Sequence, residues 1–163
     1  LAIVAALALA GCGSDGSGGG YGNRGSTETT AGKTTAEGGG ASSAAKLDVA
    51  NAAGVGAVVV DAKGFTVYDF HKDRGTTSAC YGACAQAWPP VLTAGAPTAA
   101  GGAMPSQLGT TERKDGSVQV TYAGHPLYTY AADQKPGEAN GNDVDSFGAQ
   151  WYALQASGKE AEG

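Results

Sequence analysis

Two thiols four residues apart, Cys80 and Cys84, with His71 shortly before them, are the residue types in this chain best suited to chemistry. In a helical turn, Cα atoms at that spacing lie about 6 Å apart, inside the roughly 4.4–6.8 Å window of a disulfide. Such a bond would close a very short loop and contribute about 2 kcal/mol. It would also pin Trp88-Pro89-Pro90 beneath the preceding strands. This is the reading we expect. Left reduced, the same thiols with His71 would suit Cu(I), which prefers sulfur and imidazole. A structural zinc site needs four ligands and would have to add His125. A redox-active thiol pair is the remaining reading, although C-x₃-C is not the thioredoxin spacing. No cofactor is expected, with copper as the alternative.

Other candidates are weaker. His71 should face opposite to Phe70, and His125 sits in a turn before Pro126. Lone histidines in such places are solvated or locally hydrogen-bonded. No serine occupies a nucleophile elbow and nothing ties either histidine to a nucleophile, so no enzyme activity is expected. The loop Gly137 to Gly148 gathers Glu138, Asn140, Asn142, Asp143 and Asp145, but the EF-hand order is absent. It reads as a solvated turn. The formal charge is −5, from 10 basic and 15 acidic residues. That balance argues against a nucleic-acid surface, which needs clustered Lys and Arg.

The elements that must position these groups begin after a long approach. Residues 1–11 open with LAIVAALALA, an apolar run too short to span a hydrocarbon layer. It reads as the h-region of a secretory signal lacking its start Met and basic n-region. Leu9-Ala10-Gly11-Cys12 looks like a lipobox, with Cys12 the lipidated residue. Each buried CH₂ of an acyl chain adds about 0.8 kcal/mol. The expectation is a lipid-anchored protein on the extracytoplasmic face of the cell membrane. Residues 12–45 add a Gly/Ser/Thr tether unable to bury enough surface to offset its chain entropy. A flexible chain of that length reaches about 30 Å.

The folded part is expected over residues 46–157, with 158–163 a tail. Val55 to Val60 is a β-branched run, Asp61 to Gly64 a turn signal, and Phe65 to Phe70 alternates bulky and small residues, reading as a hairpin. The pattern returns at Ser117 to Tyr122, Ala123-Gly124 and Pro126 to Tyr130. Further strands are expected at Leu108 to Arg113, joined through Lys114-Asp115-Gly116, and at Gln150 to Gln155. At most one helical turn fits, from Tyr81 to Ala87, before Trp88-Pro89-Pro90 stops it. Thr93 to Ser106 reads as a loop. The architecture is therefore a small all-β domain of two related hairpin repeats, about 55–92 and 117–155, packed as a sandwich or barrel-like sheet.

Residues two apart in a strand share a face, so Tyr68 pairs with Phe70 and Tyr128 with Tyr130. Asp73 and Asp133 fall where each strand ends. We expect the aromatics to fill a core poor in Leu and Ile and the aspartates to accept turn amides. The alternative is an aromatic surface with an acidic rim. Phe147 and Trp151 should fold back to the core, as Trp88 should in the first repeat.

The runs Tyr68–Asp73 and Tyr128–Asp133, with Cys80 to Pro90 after the first, resemble the bacterial secreted-repeat lipoproteins known by a Yx(FWY)xxD motif, whose repeat is of unknown function. The resemblance extends to Gln119 through Tyr128 and to Gly137 through Trp151. It implies a cell-surface lipoprotein and supplies no activity. The second repeat lacks the Cys pair. Together these observations predict a membrane-anchored, non-catalytic module that binds an envelope protein or small ligand, with a copper-binding or thiol-redox lipoprotein as the alternative.

Overall fold

The computed structural model describes residues 41–162. The expected signal segment, Cys12 and nearly all of the tether lie outside the described residues. The elements run β1 (Lys46–Ala52), β2 (Gly56–Asp61), β3 (Tyr68–Phe70), α1 (Ala83–Ala87) and β4 (Thr98–Ala99). A 3-10 turn at Pro105–Gln107 follows, then β5 (Leu108–Glu112), β6 (Val118–Tyr122), β7 (His125–Pro126), β8 (Val144–Ser146) and β9 (Ala149–Ala153). They form three small sheets ordered β2-β1-β4, β3-β9-β8 and β5-β6-β7. The domain is all-β apart from the short helix, and no sheet closes into a barrel among the described residues.

The β5–β6 hairpin forms as its turn chemistry dictates, paired from Leu108↔Tyr122 to Glu112↔Val118. Gly116 supplies the positive φ, +81°, and the Asp115 carboxyl accepts the Ser117 amide at 3.0 Å. The first repeat departs from expectation. The main partner of β2 is β1, from Leu47↔Asp61 to Ala52↔Gly56. Segment 65–70 touches β2 only at its start, through Asp61 N–H to Phe65 O at 2.8 Å and Val67 N–H to Val59 O at 3.1 Å. It then leaves to pair as β3 with β9. The Thr93–Ser106 connection also carries β4, which lies parallel to β1.

The physical reason is an exchange of strands between the repeats. The Val59 amide donates to Leu154 O at 2.7 Å, and the Val120 amide donates to Val91 O at 2.8 Å. Val91 follows Trp88 by three residues and Leu154 follows Trp151 by three. Each repeat thus sends the segment after its tryptophan onto the strand of the other. Tyr68 and Tyr128 exchange backbone hydrogen bonds of 2.8 and 3.0 Å where the two motif segments meet.

Two buried clusters result. Val59 lies with Leu47, Val67, Val120, Tyr122, Leu127 and Leu154, whereas Val58 and Val60 turn to the aromatic side. A run of β-branched residues serves β2 because both its faces are covered. The aromatic cluster is a four-ring stack: Phe70 on Trp151 at 3.9 Å, Trp151 on Trp88 at 3.9 Å, and Trp88 on Tyr130 at 4.1 Å between centroids. Tyr68 and Tyr128 meet Trp88 and Trp151 edge-on at 5.4 and 5.2 Å. Both indole N–H groups end on Ser146, Trp88 on its hydroxyl and Trp151 on its carbonyl, each at 3.1 Å. Phe147 does not return to the core. It sits in a turn with φ +56° and is 42% exposed.

The chain beyond Ser157 also belongs to this body. Gly158 turns it, the Ala161 amide donates to Ala153 O at 2.8 Å, and Ala161 is buried. At the other end, the Ala45 amide donates to the Thr93 hydroxyl at 3.0 Å.

Gly141 tests how tightly the stack is enclosed. A Cβ there would lie 2.8 Å from the Trp88 ring and 2.9 Å from Tyr68 Cζ. Gly141→Ala should therefore destabilise the domain by about 1–3 kcal/mol, read as a lowered urea midpoint.

Candidate functional site

The motif residues form a reciprocal clasp. Tyr68 donates its hydroxyl to Asp133 Oδ2 at 2.6 Å, and Tyr128 donates to Asp73 Oδ2 at 2.8 Å. The second oxygen of each carboxyl accepts a turn amide, from Ala79 to Asp73 at 2.7 Å and from Asn140 to Asp133 at 2.9 Å. The turn-capping expectation describes half of this arrangement; the tyrosine of the opposite repeat is the other half. Burial, then Asp133, pushes the Tyr68 phenol up, and burial, then the Asp73 charge, does the same to Tyr128. Burial also raises the Asp73 carboxyl to about 6. The alternative of an aromatic surface with an acidic rim is overturned: Tyr68, Phe70, Trp88, Tyr128 and Trp151 are buried and Tyr130 is partly covered.

Cys80 and Cys84 are joined in a disulfide with Cα atoms 5.2 Å apart, and both are buried. The bond ties the start of α1 to the strandless loop before it. Arg113, reaching over from the second repeat, secures that loop. Its guanidinium donates to Ser78 Oγ at 2.9 Å, Gln119 Oε1 at 2.6 Å and Cys80 O at 2.7 Å, and lies 4.4 Å over the Tyr81 ring. Cys80, Cys84 and His71 do not form a ligand set. The sulfurs are bonded to each other, and His71 instead meets Glu160, Nε2 to Oε1 at 2.7 Å. The oxygen-rich loop 137–148 is likewise spent locally: Glu138 accepts the Gln134 amide at 2.7 Å, Asn142 accepts Ala153 at 2.9 Å, and Asp143 accepts Tyr152 at 3.0 Å.

The polar cluster that does gather lies on the opposite face of β3. Tyr68 and Phe70 point into the aromatic stack, so Asp69 and His71 share the other side. There they line a cleft of about 200 Å³ with Asp73, His125 and Glu160. Asp69 is only 1% exposed, and neither carboxyl oxygen has a hydrogen-bond partner. His125 Nδ1 approaches Asp69 Oδ2 at 3.2 Å but off the hydrogen-bonding direction, an ion pair when the imidazole is protonated. Contact with Asp69 chiefly raises the His125 imidazole above its ordinary value, assisted by the Asp69, Glu160 and Asp73 charges and opposed by burial. Asp69, His71 and Glu160 bring ligand atoms within 4.8 Å of one another.

Sequence reading identified His71 and His125 individually and missed Asp69 and Glu160. Asp69 was findable, since alternation in Tyr-Asp-Phe-His places it on the face of His71. Glu160 was not, because nothing local shows that the last residues return to β9.

The family described as a secreted repeat of unknown function matches residues 51–92 and 109–155. The matched spans begin before the expected repeats; the first takes in only the end of β1, whereas the second takes in most of β5. No curated protein and no solved structure matches the chain. No helix among the described residues is long and apolar enough to cross a membrane.

The clasp makes a discriminating prediction. A double-mutant cycle of Tyr68→Phe with Asp133→Asn should give a coupling of about 0.5–3 kcal/mol in denaturant unfolding. Tyr68→Phe with Asp73→Asn, within one repeat, should be nearly additive.

Proposed function

Because this chain belongs to the family of the secreted repeat of unknown function, we propose that it is a lipid-anchored extracytoplasmic module that binds a ligand without catalysing a reaction. The observation that carries the binding reading is the cleft on the outer face of β3. Its buried Asp69 lacks a hydrogen-bond partner within a body whose other motif carboxyls are satisfied. A buried polar group without a partner costs about 1–3 kcal/mol, so retaining one favours a role outside folding. Both histidines pair with carboxylates rather than with a hydroxyl or thiol nucleophile, which supports binding over catalysis. A copper or thiol-redox role through Cys80 and Cys84 would first require reduction of a buried disulfide.

The anchor reading rests on the lipobox-like Leu9-Ala10-Gly11-Cys12 at the end of the apolar run. Acyl chains on Cys12 would hold the module at the membrane, and the Gly/Ser-rich residues between would let it stand clear.

Two measurements test these claims. Cys12→Ser should move the protein from the membrane fraction into the medium; retention in the membrane would sink the anchor. Histidine-selective NMR of the mature chain should show His71 and His125 shifting on addition of envelope extract, with the response lost in Asp69→Asn. A response that survives that substitution would place binding elsewhere.

A further inference from the structure

Resting on the binding reading above, we propose that Asp69, His71 and Glu160 form a site for one divalent transition-metal ion of the Zn²⁺ type, with His125 positioning Asp69. Three observations carry it. The three side chains already bring one ligand atom each within 4.8 Å of the others. Zinc bound at about 2.0–2.2 Å to nitrogen and oxygen holds its ligands roughly 3.3–3.5 Å apart in a tetrahedron. The 2.7 Å between His71 Nε2 and Glu160 Oε1 must therefore open slightly, and both side chains are exposed enough to turn. Asp69, in contrast, is fixed and buried, with both oxygens lacking a donor. An ion entering between the mobile pair would give this carboxylate a direct ligand bond in addition to its off-direction contact with His125.

Charge points the same way. Three carboxyl groups, Asp69, Asp73 and Glu160, line the cleft with only two imidazoles. The donor set is one imidazole and two carboxylates, without sulfur. This favours Zn²⁺ or Cu²⁺ over Cu(I), which prefers thiolates, and over Ca²⁺ and Mg²⁺, which prefer all-oxygen shells. Three protein ligands leave a fourth position for water or for an atom of a second molecule.

His125 acts through Asp69. Its 3.2 Å contact with Oδ2 aims the carboxyl, as an outer partner aims a metal ligand.

Of the two motif segments, only the first supplies ligands to the site. Its motif reads Tyr68-Asp69-Phe70-His71, whereas the second reads Tyr128-Thr129-Tyr130-Ala131. The positions that build the clasp are shared, but those that build the site hold Asp and His in one copy and Thr and Ala in the other.

The test is calorimetric titration of the mature, tag-free, chelator-treated chain with ZnCl₂, and with CaCl₂ and MgCl₂ for comparison. We expect about one equivalent of Zn²⁺, with Ca²⁺ and Mg²⁺ weaker by about tenfold or more. Asp69→Asn and Glu160→Gln should each weaken Zn²⁺ by at least about tenfold. Glu160 is exposed, so its variant should fold normally. His125→Ala should weaken binding by about 10–100-fold, and His125→Asn, whose amide nitrogen can stand near the Nδ1 position, should recover part of the loss. Asp145→Asn, outside the cleft, should change nothing. Zn²⁺ binding that ignores Asp69→Asn and Glu160→Gln would be adventitious and would overturn the site. No Zn²⁺ binding while the histidine resonances still answer envelope extract would reject the metal and leave the binding module standing. Silence in both experiments would reject both.

Discussion

Tyr68 reaches Asp133 at 2.6 Å and Tyr128 reaches Asp73 at 2.8 Å, each phenol satisfying a carboxyl 65 or 55 residues away. Each aspartate finds a turn amide in its own repeat but a phenol only in the other, because the first tyrosine of its own motif is committed across the repeats. The same crossing governs the aromatic stack, in which Phe70, Trp151, Trp88 and Tyr130 alternate between repeats. It also governs the backbone, where Val59 bonds Leu154 and Val120 bonds Val91. Losing one clasp would strand a buried carboxyl oxygen and loosen the rings packed beside it. The repeats are therefore expected to order together, as contacts distant in sequence must form before either core is complete.

Much of this was legible locally, and the limits follow from how far each interaction reaches. The β5–β6 hairpin lay in the alternation of Val118 and Val120 and in the Lys-Asp-Gly turn, all within a dozen residues. The burial of Trp88 and Trp151 followed from scarcity of other large apolar side chains. The pairing of β3 was not legible, because a strand near a β-branched run looks like its hairpin partner until a competing edge appears, and that edge, β9, lies some 80 residues on. β1 was missed because Lys-Leu-Asp-Val-Ala-Asn-Ala carries only two large apolar residues. Phe147 was misjudged because its left-handed turn, not its hydrophobicity, decides where its ring points.

The candidate site shows the same division. Alternation along β3 assigns opposite tasks to adjacent residues: Tyr68 and Phe70 build the core, while Asp69 and His71 face the cleft. The conspicuous residues, the cysteines and the motif aromatics, are spent on architecture. Arg113 illustrates this, since its buried guanidinium holds the Cys80 loop against the second repeat. The groups left over for the proposed recognition are inconspicuous positions of the motif and a glutamate near the last residue described.

The crossed arrangement also bears on ancestry. A single repeat of this kind is an incomplete object, carrying a phenol with no acceptor and a carboxyl oxygen with no donor. Two identical copies related by a two-fold axis would complete each other, because an isologous contact supplies both halves at once. A homodimer of one repeat could satisfy both groups in the same way, and fusing such halves into one chain would release each from the demand of being identical. The two halves share the clasp positions, whereas Asp69 and His71 stand where Thr129 and Ala131 do in the second.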